Sequence, residues 1–369
     1  MLGGCCCIVM SYRGCMKTVI KWSGLLVLLA LLGGGYFLYQ RYQSFLAVPV
    51  MLTDAQLVFE VKPGANIRQV ARQLVAEQVL PPSSGPLRTE WLLELHARRL
   101  GLAGKLKAGE YELGPGMLPE SVLRRLSSGK TLQYGISFIE GRTFRDYVTV
   151  VKDTPSVVQT LSDADYADLM QVLGAPTGML PEGWFLADTY HFPRNTTDRE
   201  VWQRSYKAMQ DYLQQAWEGR DPTPYLKTPY EALILASIVE KETGIADERP
   251  LIARVFLNRL ARGMLLQTDP TVIYGMGAAY DGNIRKVDLR RDTPYNTYTR
   301  KGLPPTPIAM PGKAAIDAVM HPVASSSLYF VATGLGDGRH YFSDSYKEHR
   351  QAVIKYQLNG NSSRYQGDR

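Results

Sequence analysis

The chain has 369 residues, 45% hydrophobic and 21% charged, an ordinary globular composition with length for two or three domains. Its 42 Lys and Arg against 35 Asp and Glu leave a formal charge of +7, which would suit nucleic acid only in a cytoplasmic chain. All four cysteines, Cys5, Cys6, Cys7 and Cys15, precede the first long apolar segment, so the remainder excludes disulfides, thiolate zinc sites and a thiol nucleophile.

From Trp22 to Gln40 no residue is charged, and this run is long enough to cross a bilayer as one helix. Arg13, Lys17 and Lys21 precede it and Tyr36, Phe37 and Tyr39 cluster at its far end, the pattern of a cytoplasmic N-terminus and an interfacial aromatic belt. No small-residue cleavage site follows, so the reading is an uncleaved single-pass anchor at 22–41, with a cytoplasmic segment 1–21 before it and a connector 42–55 after it. Met16-Lys17 would make a natural start. Behind such an anchor the positive charge suits an anionic envelope polymer or lipid headgroups, or solubility alone.

A small module is expected at 56–132. Leu57–Gly64 alternates as a strand, Ile67–Ala76 repeats apolar residues at helical spacing, and a second helix covers about Arg88–Leu100. Lys107–Gly116 then gives a strand and turn, and Pro119–Leu126 a short helix. Gly129-Lys130-Thr131 is no phosphate loop, because Arg124 stands where the first glycine is needed.

A larger unit is expected at 133–358, opened by a strand at Tyr134–Glu140. Leu180–Tyr190 is dense in aromatics and carboxylates and reads as a groove wall. Thr228–Gly244 reads as a complete helix: Thr228 caps it, Pro229 takes the first position, Glu231 completes a capping box and Gly244 stops it. A second helix spans about Asp247–Arg262, and Asp269-Pro270 starts a short third. Residues 288–311 form a long ordered loop, Ser327–Thr333 and Arg339–Ser343 a hairpin, and the polar tail after 358 is expected to fray.

Glu242 is the misplaced charge. With Ile234 and Ile238 it falls at i, i+4, i+8, so it prolongs an apolar stripe by one turn. Partial burial and the negative end of the helix dipole both favour its neutral form, as a general acid requires. The bland alternative has it curl to the surface and pair with Arg249 or Lys241. Glu240 points to nearly the opposite side and reads as a solvated or supporting residue. Other chemistries are missing: there is no His-Glu-x-x-His pair, His96, His191, His321, His340 and His349 are scattered, and no Gly-x-Ser-x-Gly elbow occurs. What remains is carboxylate chemistry.

Ala236–Thr243, Glu248-Arg249, Val255-Phe256, Asn258–Leu260, Leu266–Gly275, Tyr295–Tyr298 and Gly302–Pro305 follow one another in an order that strongly resembles the endolytic murein transglycosylases. Glu182–Phe185, Asp188-Thr189 and Lys107–Tyr111 match as well. Small departures are the cysteine-bearing N-terminal segment and Leu186-Ala187. The resemblance implies an α+β protein of three parts: a transmembrane helix, a LysM-like subdomain and a larger catalytic domain facing the periplasm from the inner membrane. It places the acid/base at the second glutamate of Glu240–Thr243, here Glu242. Gln267, Asp269, Tyr274, Tyr295, Asn296, Tyr298 and Glu182 are assigned to the substrate groove, each with a structural loop role as the alternative.

The partners implied are peptidoglycan glycan strands, the membrane and peptidoglycan synthases, with no nucleic acid, metal or cofactor. Two rival readings accompany this one: a hydrolytic muramidase using Asp269 or Glu182 as second carboxylate, and a non-catalytic wall-binding anchor.

Overall fold

A computed structural model describes residues 7–365 except 53–55, 84 and 86, with side chains from Trp22 onward. Cys5 and Cys6 lie outside the described residues. The chain divides into two compact units, 1–133 and 134–369.

The first unit opens with α1, Cys7–Ala47. Every side chain from Trp22 to Arg41 is exposed, and Trp22–Ala47 is long and apolar enough to cross a membrane. The helix does not stop where the charge-free run ends. Tyr42 and Phe45, three residues apart on one face, are buried in the core of the unit, and the Tyr42 hydroxyl meets His96 Nδ1 at 2.7 Å. The first residues of the expected connector are therefore helix.

Strands β1 (Leu57–Val61) and β2 (Gly109–Leu113) pair antiparallel with Leu57 opposite Leu113. Between them lie α2 (Ile67–Ala76), held by an Asn66–Gln69 capping box, and α3 (Thr89–Arg99); α4 (Pro119–Ser128) follows, with Pro at its first turn and Gly129 at φ 74° after its end. Phe59, Leu74, Leu93, Tyr111 and Leu123 close the core, each worth roughly 1.5–3 kcal/mol on burial.

In the second unit β3 (Tyr134–Ser137) pairs antiparallel with β4 (Thr189–Phe192), so the end of the expected groove wall is a strand. Between them come α5 (Phe144–Lys152), α6 (Asp163–Ala167) and α7 (Leu169–Val172). Helix α8 (Asp198–Gly219) has no counterpart in the sequence reading. Its Trp202 is fully buried among Phe138, Phe144, Tyr166 and Phe185.

Next are α9 (Pro229–Glu242), α10 (Arg249–Ala261), α11 (Asp269–Met276) and α12 (Lys286–Arg290), then α13 (Lys313–Met320), the antiparallel hairpin β5 (Tyr329–Ala332) and β6 (His340–Ser343), and α14 (Tyr346–Tyr356). Helix α9 is the axis of this unit. Residues Ala232 to Val239 are all buried, because α8, α10, α11 and α13 pack around it. The amphipathic stripe read from the sequence thus becomes a helix buried on every side, as expected for one at the centre of a fold.

Candidate active site

The end of α9 delivers Glu242. Thr228 accepts from the Glu231 N–H at 3.2 Å, but the Glu231 carboxylate takes the N–H of Lys227 and not that of Thr228, so only half of the expected capping box forms. At the other end the helix stops because Thr243 turns extended (φ −146°, ψ 137°), one residue before Gly244. Thr243 Oγ1 then accepts from the Ile245 N–H at 2.9 Å, and the chain leaves with Glu242 on the last turn.

The Glu242 carboxyl is half-buried, open on one side to a cleft, and accepts a hydrogen bond from the Thr268 hydroxyl. Burial pushes its pKa above the usual carboxylate range, and the Asp269 charge adds to that. The Thr268 hydrogen bond, His340 and Arg259 pull the other way without reversing it. Neither expected surface partner is used. Arg249 faces Glu240 at 3.7 Å, and Lys241 donates to the Gly141 carbonyl at 3.1 Å. Glu240 itself is not solvated; buried, and with its pKa raised by that burial, it accepts from the Gly312 N–H at 3.0 Å and clasps the start of α13.

Glu242 lines a cleft of about 420 Å³. Gln267, Asp269 and Tyr298 line it too, the first from a left-handed backbone at φ 50°, a conformation costly for a residue with a side chain. A knot of threonines holds this segment: Gln267 N–H donates to the Thr297 carbonyl at 3.1 Å, Thr268 N–H to Thr297 Oγ1 at 3.1 Å, and Thr271 Oγ1 meets Thr297 Oγ1 at 2.9 Å. The Tyr298 hydroxyl donates to Asp269 at 2.6 Å.

The opposite wall was not read from the sequence. It comes from β5, β6 and α14, with Tyr329, Phe330, His340 and His349, and from Arg259 of α10. Buried Glu248 accepts from the backbone N–H of His340 at 2.9 Å and lies 2.8 Å from its Nδ1, which fixes the imidazole in the cleft wall. Arg259 donates to the Leu328 carbonyl at 2.7 Å and to that of Leu266, tying the hairpin to the loop before α11. Histidines scattered along a sequence give no sign of this. The one available signal was Glu248, a carboxylate next to the break between two helices.

Glu182, Tyr274 and Tyr295 lie elsewhere, in a second cleft of about 610 Å³ lined also by Phe144, Arg145 and Ile273. Glu182 is buried there, accepts from the Phe144 N–H at 2.9 Å and from the Tyr274 hydroxyl at 3.0 Å, and is pushed up to about 7 by burial. The rings of Tyr274 and Tyr295 meet edge to face at 4.9 Å.

Asn296 lines neither cleft. Its side chain is engaged within the loop, donating to the carbonyls of Asp288, Leu289 and Arg291 and accepting from the Tyr298 N–H at 2.8 Å. Among the described residues no group of three or more His, Cys, Asp or Glu side chains is placed to hold a metal ion.

The family model described as YceG-like matches residues 59–355. An endolytic murein transglycosylase of Bacillus subtilis (strain 168) is 29% identical over 340 residues, covering 88% of this chain and 90% of that protein. One from Streptococcus pneumoniae serotype 2 is 28% identical over 376 residues, covering 90% of this chain but 64% of the longer relative. A crystal structure of a yceG-like protein from Listeria monocytogenes is 27% identical and aligns over 81% of this chain and 99% of its own, with a TM-score of 0.48. With its family match running from β1 into α14, the chain belongs to the YceG-like family.

Proposed function

We propose that this chain is an endolytic murein transglycosylase whose acid/base is Glu242. Relatives in Bacillus subtilis and Streptococcus pneumoniae carry that name. The observation that carries the residue assignment is a half-buried carboxyl on a cleft wall at a helix end, with its pKa raised and one oxygen engaged by a hydroxyl. A cleft of about 420 Å³ falls within the range of small-molecule sites.

In the reaction, Glu242 protonates the glycosidic oxygen of the β-1,4 bond between N-acetylmuramic acid and N-acetylglucosamine. Because Thr268 donates to Oε1, the acid proton belongs on Oε2. The resulting carboxylate then takes the proton of the muramyl 6-hydroxyl as that oxygen closes on the anomeric carbon, giving a 1,6-anhydro end without water. The substrate supplies the nucleophile, so one carboxylate suffices where an ordinary glycosidase needs two. Gln267, Asp269 and Tyr298 contact the sugars beside the scissile bond in this reading, and Glu182, Tyr274 and Tyr295 line a more distant part of the substrate path.

The proposal extends to the rest of the chain. Helix α1 anchors it in the inner membrane with the second unit in the periplasm, residues 56–132 act as a LysM-like wall-binding module, and cleavage beside peptidoglycan synthases terminates growing strands.

Product analysis of purified glycan strands tests the reading. The expected result is anhydromuramyl ends from the wild type and none from Glu242→Gln. Reducing ends would make the enzyme a hydrolase with Asp269 as the second carboxylate in the same cleft, and cleavage retained by Glu242→Gln would remove Glu242 from the mechanism.

A further inference from the structure

The charge-free stretch Trp22–Gln40 is about 28 Å long as a helix, close to the roughly 30 Å of a bilayer's hydrocarbon core. Its outer end therefore falls near Leu38 and Tyr39. Within a turn of that point the same helix enters the core of the first unit through Tyr42 and Phe45, and Tyr42 is hydrogen-bonded to His96 of α3. No flexible segment separates the two. The depth of α3 is set by the helix that would cross the membrane.

Between α1 and α3 runs an apolar groove of about 390 Å³, with Leu38 and Tyr39 on one side and Leu87, Trp91 and Leu95 on the other. Trp91, Leu95 and Arg99 follow one another at i, i+4, i+8 along α3. Trp91 is 52% exposed and Leu95 42%, which is costly in water for two large side chains one turn apart. Arg99 closes the row, its guanidinium 5.9 Å from the centre of the Tyr42 ring. A tryptophan, a leucine and an arginine on one face of α3, beside the aromatic end of a spanning helix, are the groups that an interfacial helix offers to acyl chains and phosphates.

We propose that this groove seats a phospholipid of the outer leaflet, its acyl chain against Leu38, Trp91 and Leu95 and its phosphate on Arg99. The inference rests on α1 crossing the bilayer. It makes the first unit a part of the membrane surface, with α3 lying in the headgroup layer. A partner's membrane helix would compete for the same groove, and reconstitution of this chain alone separates the two occupants.

The test uses the full chain in vesicles of phosphatidylethanolamine and phosphatidylglycerol, with and without lipids brominated high on the acyl chain, which quench tryptophan on contact. Of the five tryptophans, Trp22 and Trp91 belong to the first unit. Trp22→Phe and Trp91→Phe should each remove a share of the quenching, and the double variant nearly all of it. If Trp22→Phe reduces quenching and Trp91→Phe leaves it unchanged, α3 stands clear of lipid and this inference falls while the anchor stands. If neither variant changes it, the anchor itself is wrong. Arg99→Gln should lower the number of phospholipids retained on detergent extraction, measured by native mass spectrometry, whereas Arg72→Gln on α2 should not. Equal retention in both would remove the phosphate contact.

Discussion

At the residue scale, Glu242 is surrounded by groups that push its protonation in opposite directions, and substitutions should separate them by sign. Asp269→Asn removes a negative neighbour, so the Glu242 pKa falls and the alkaline limb of the cleavage profile moves to lower pH. Thr268→Val removes a hydrogen bond that favours the carboxylate, so the same limb moves to higher pH while the maximum rate drops. Rate-against-pH curves on glycan strands check both; limbs that shift in the same direction would show that a different group titrates. The place of Glu242 on a cleft wall was legible because a charge on an apolar row contradicts its neighbours. The division of the other seven residues between two clefts and a loop was not. Whether an amide such as Asn296 turns to a ligand or to its own loop depends on carbonyls brought together only by the fold.

At the scale of elements, α9 is coupled to the long loop through Ser237. This fully buried hydroxyl donates to the Ile234 carbonyl at 2.7 Å and accepts from the Ile308 N–H at 3.0 Å. Ser237→Ala leaves that N–H buried without a partner, at a cost of about 1–3 kcal/mol in urea unfolding. Thr228→Ala, at the exposed start of the same helix, should cost about 1 kcal/mol. A cost for Ser237→Ala well below about 1 kcal/mol would deny the loop its tie to the helix. The elements that sequence reasoning passed over differ in kind. Helix α8 carried its signals, with a Thr197–Glu200 capping box and Val201, Trp202, Ser205, Tyr206 and Met209 buried along one face. Helix α13 begins after Gly312 with no side-chain cap, and α14 buries a single residue, Ala352, so the first lacks a start signal and the second a periodic apolar face.

At the scale of the whole molecule, the two units should respond to pH in opposite senses. In the second, burial raises the pKa of Glu182, Glu240 and Glu242, and Glu182 reaches about 7. A carboxyl whose folded pKa is raised contributes its full stability below the unfolded value and loses it as pH rises through the folded one. Between mildly acidic and neutral pH the second unit should therefore weaken, with Glu182 alone responsible for about 2–3 kcal/mol. In the first unit burial depresses His96. The unfolded chain then holds the extra proton, so stability rises with pH until the unfolded histidine has titrated. Glu94, held low by Arg68 and Arg98, loses its contribution only in more acidic solution. Hydrogen exchange on the full chain, corrected for intrinsic rates, resolves the units separately. Protection should fall with pH in residues 134–369 and rise in 1–133, and Glu182→Gln should flatten the first trend and leave the second unchanged. Protection that rises with pH in residues 134–369 would mean that the buried carboxyls do not control the stability of the second unit, and protection that falls in 1–133 would deny His96 its role in the first.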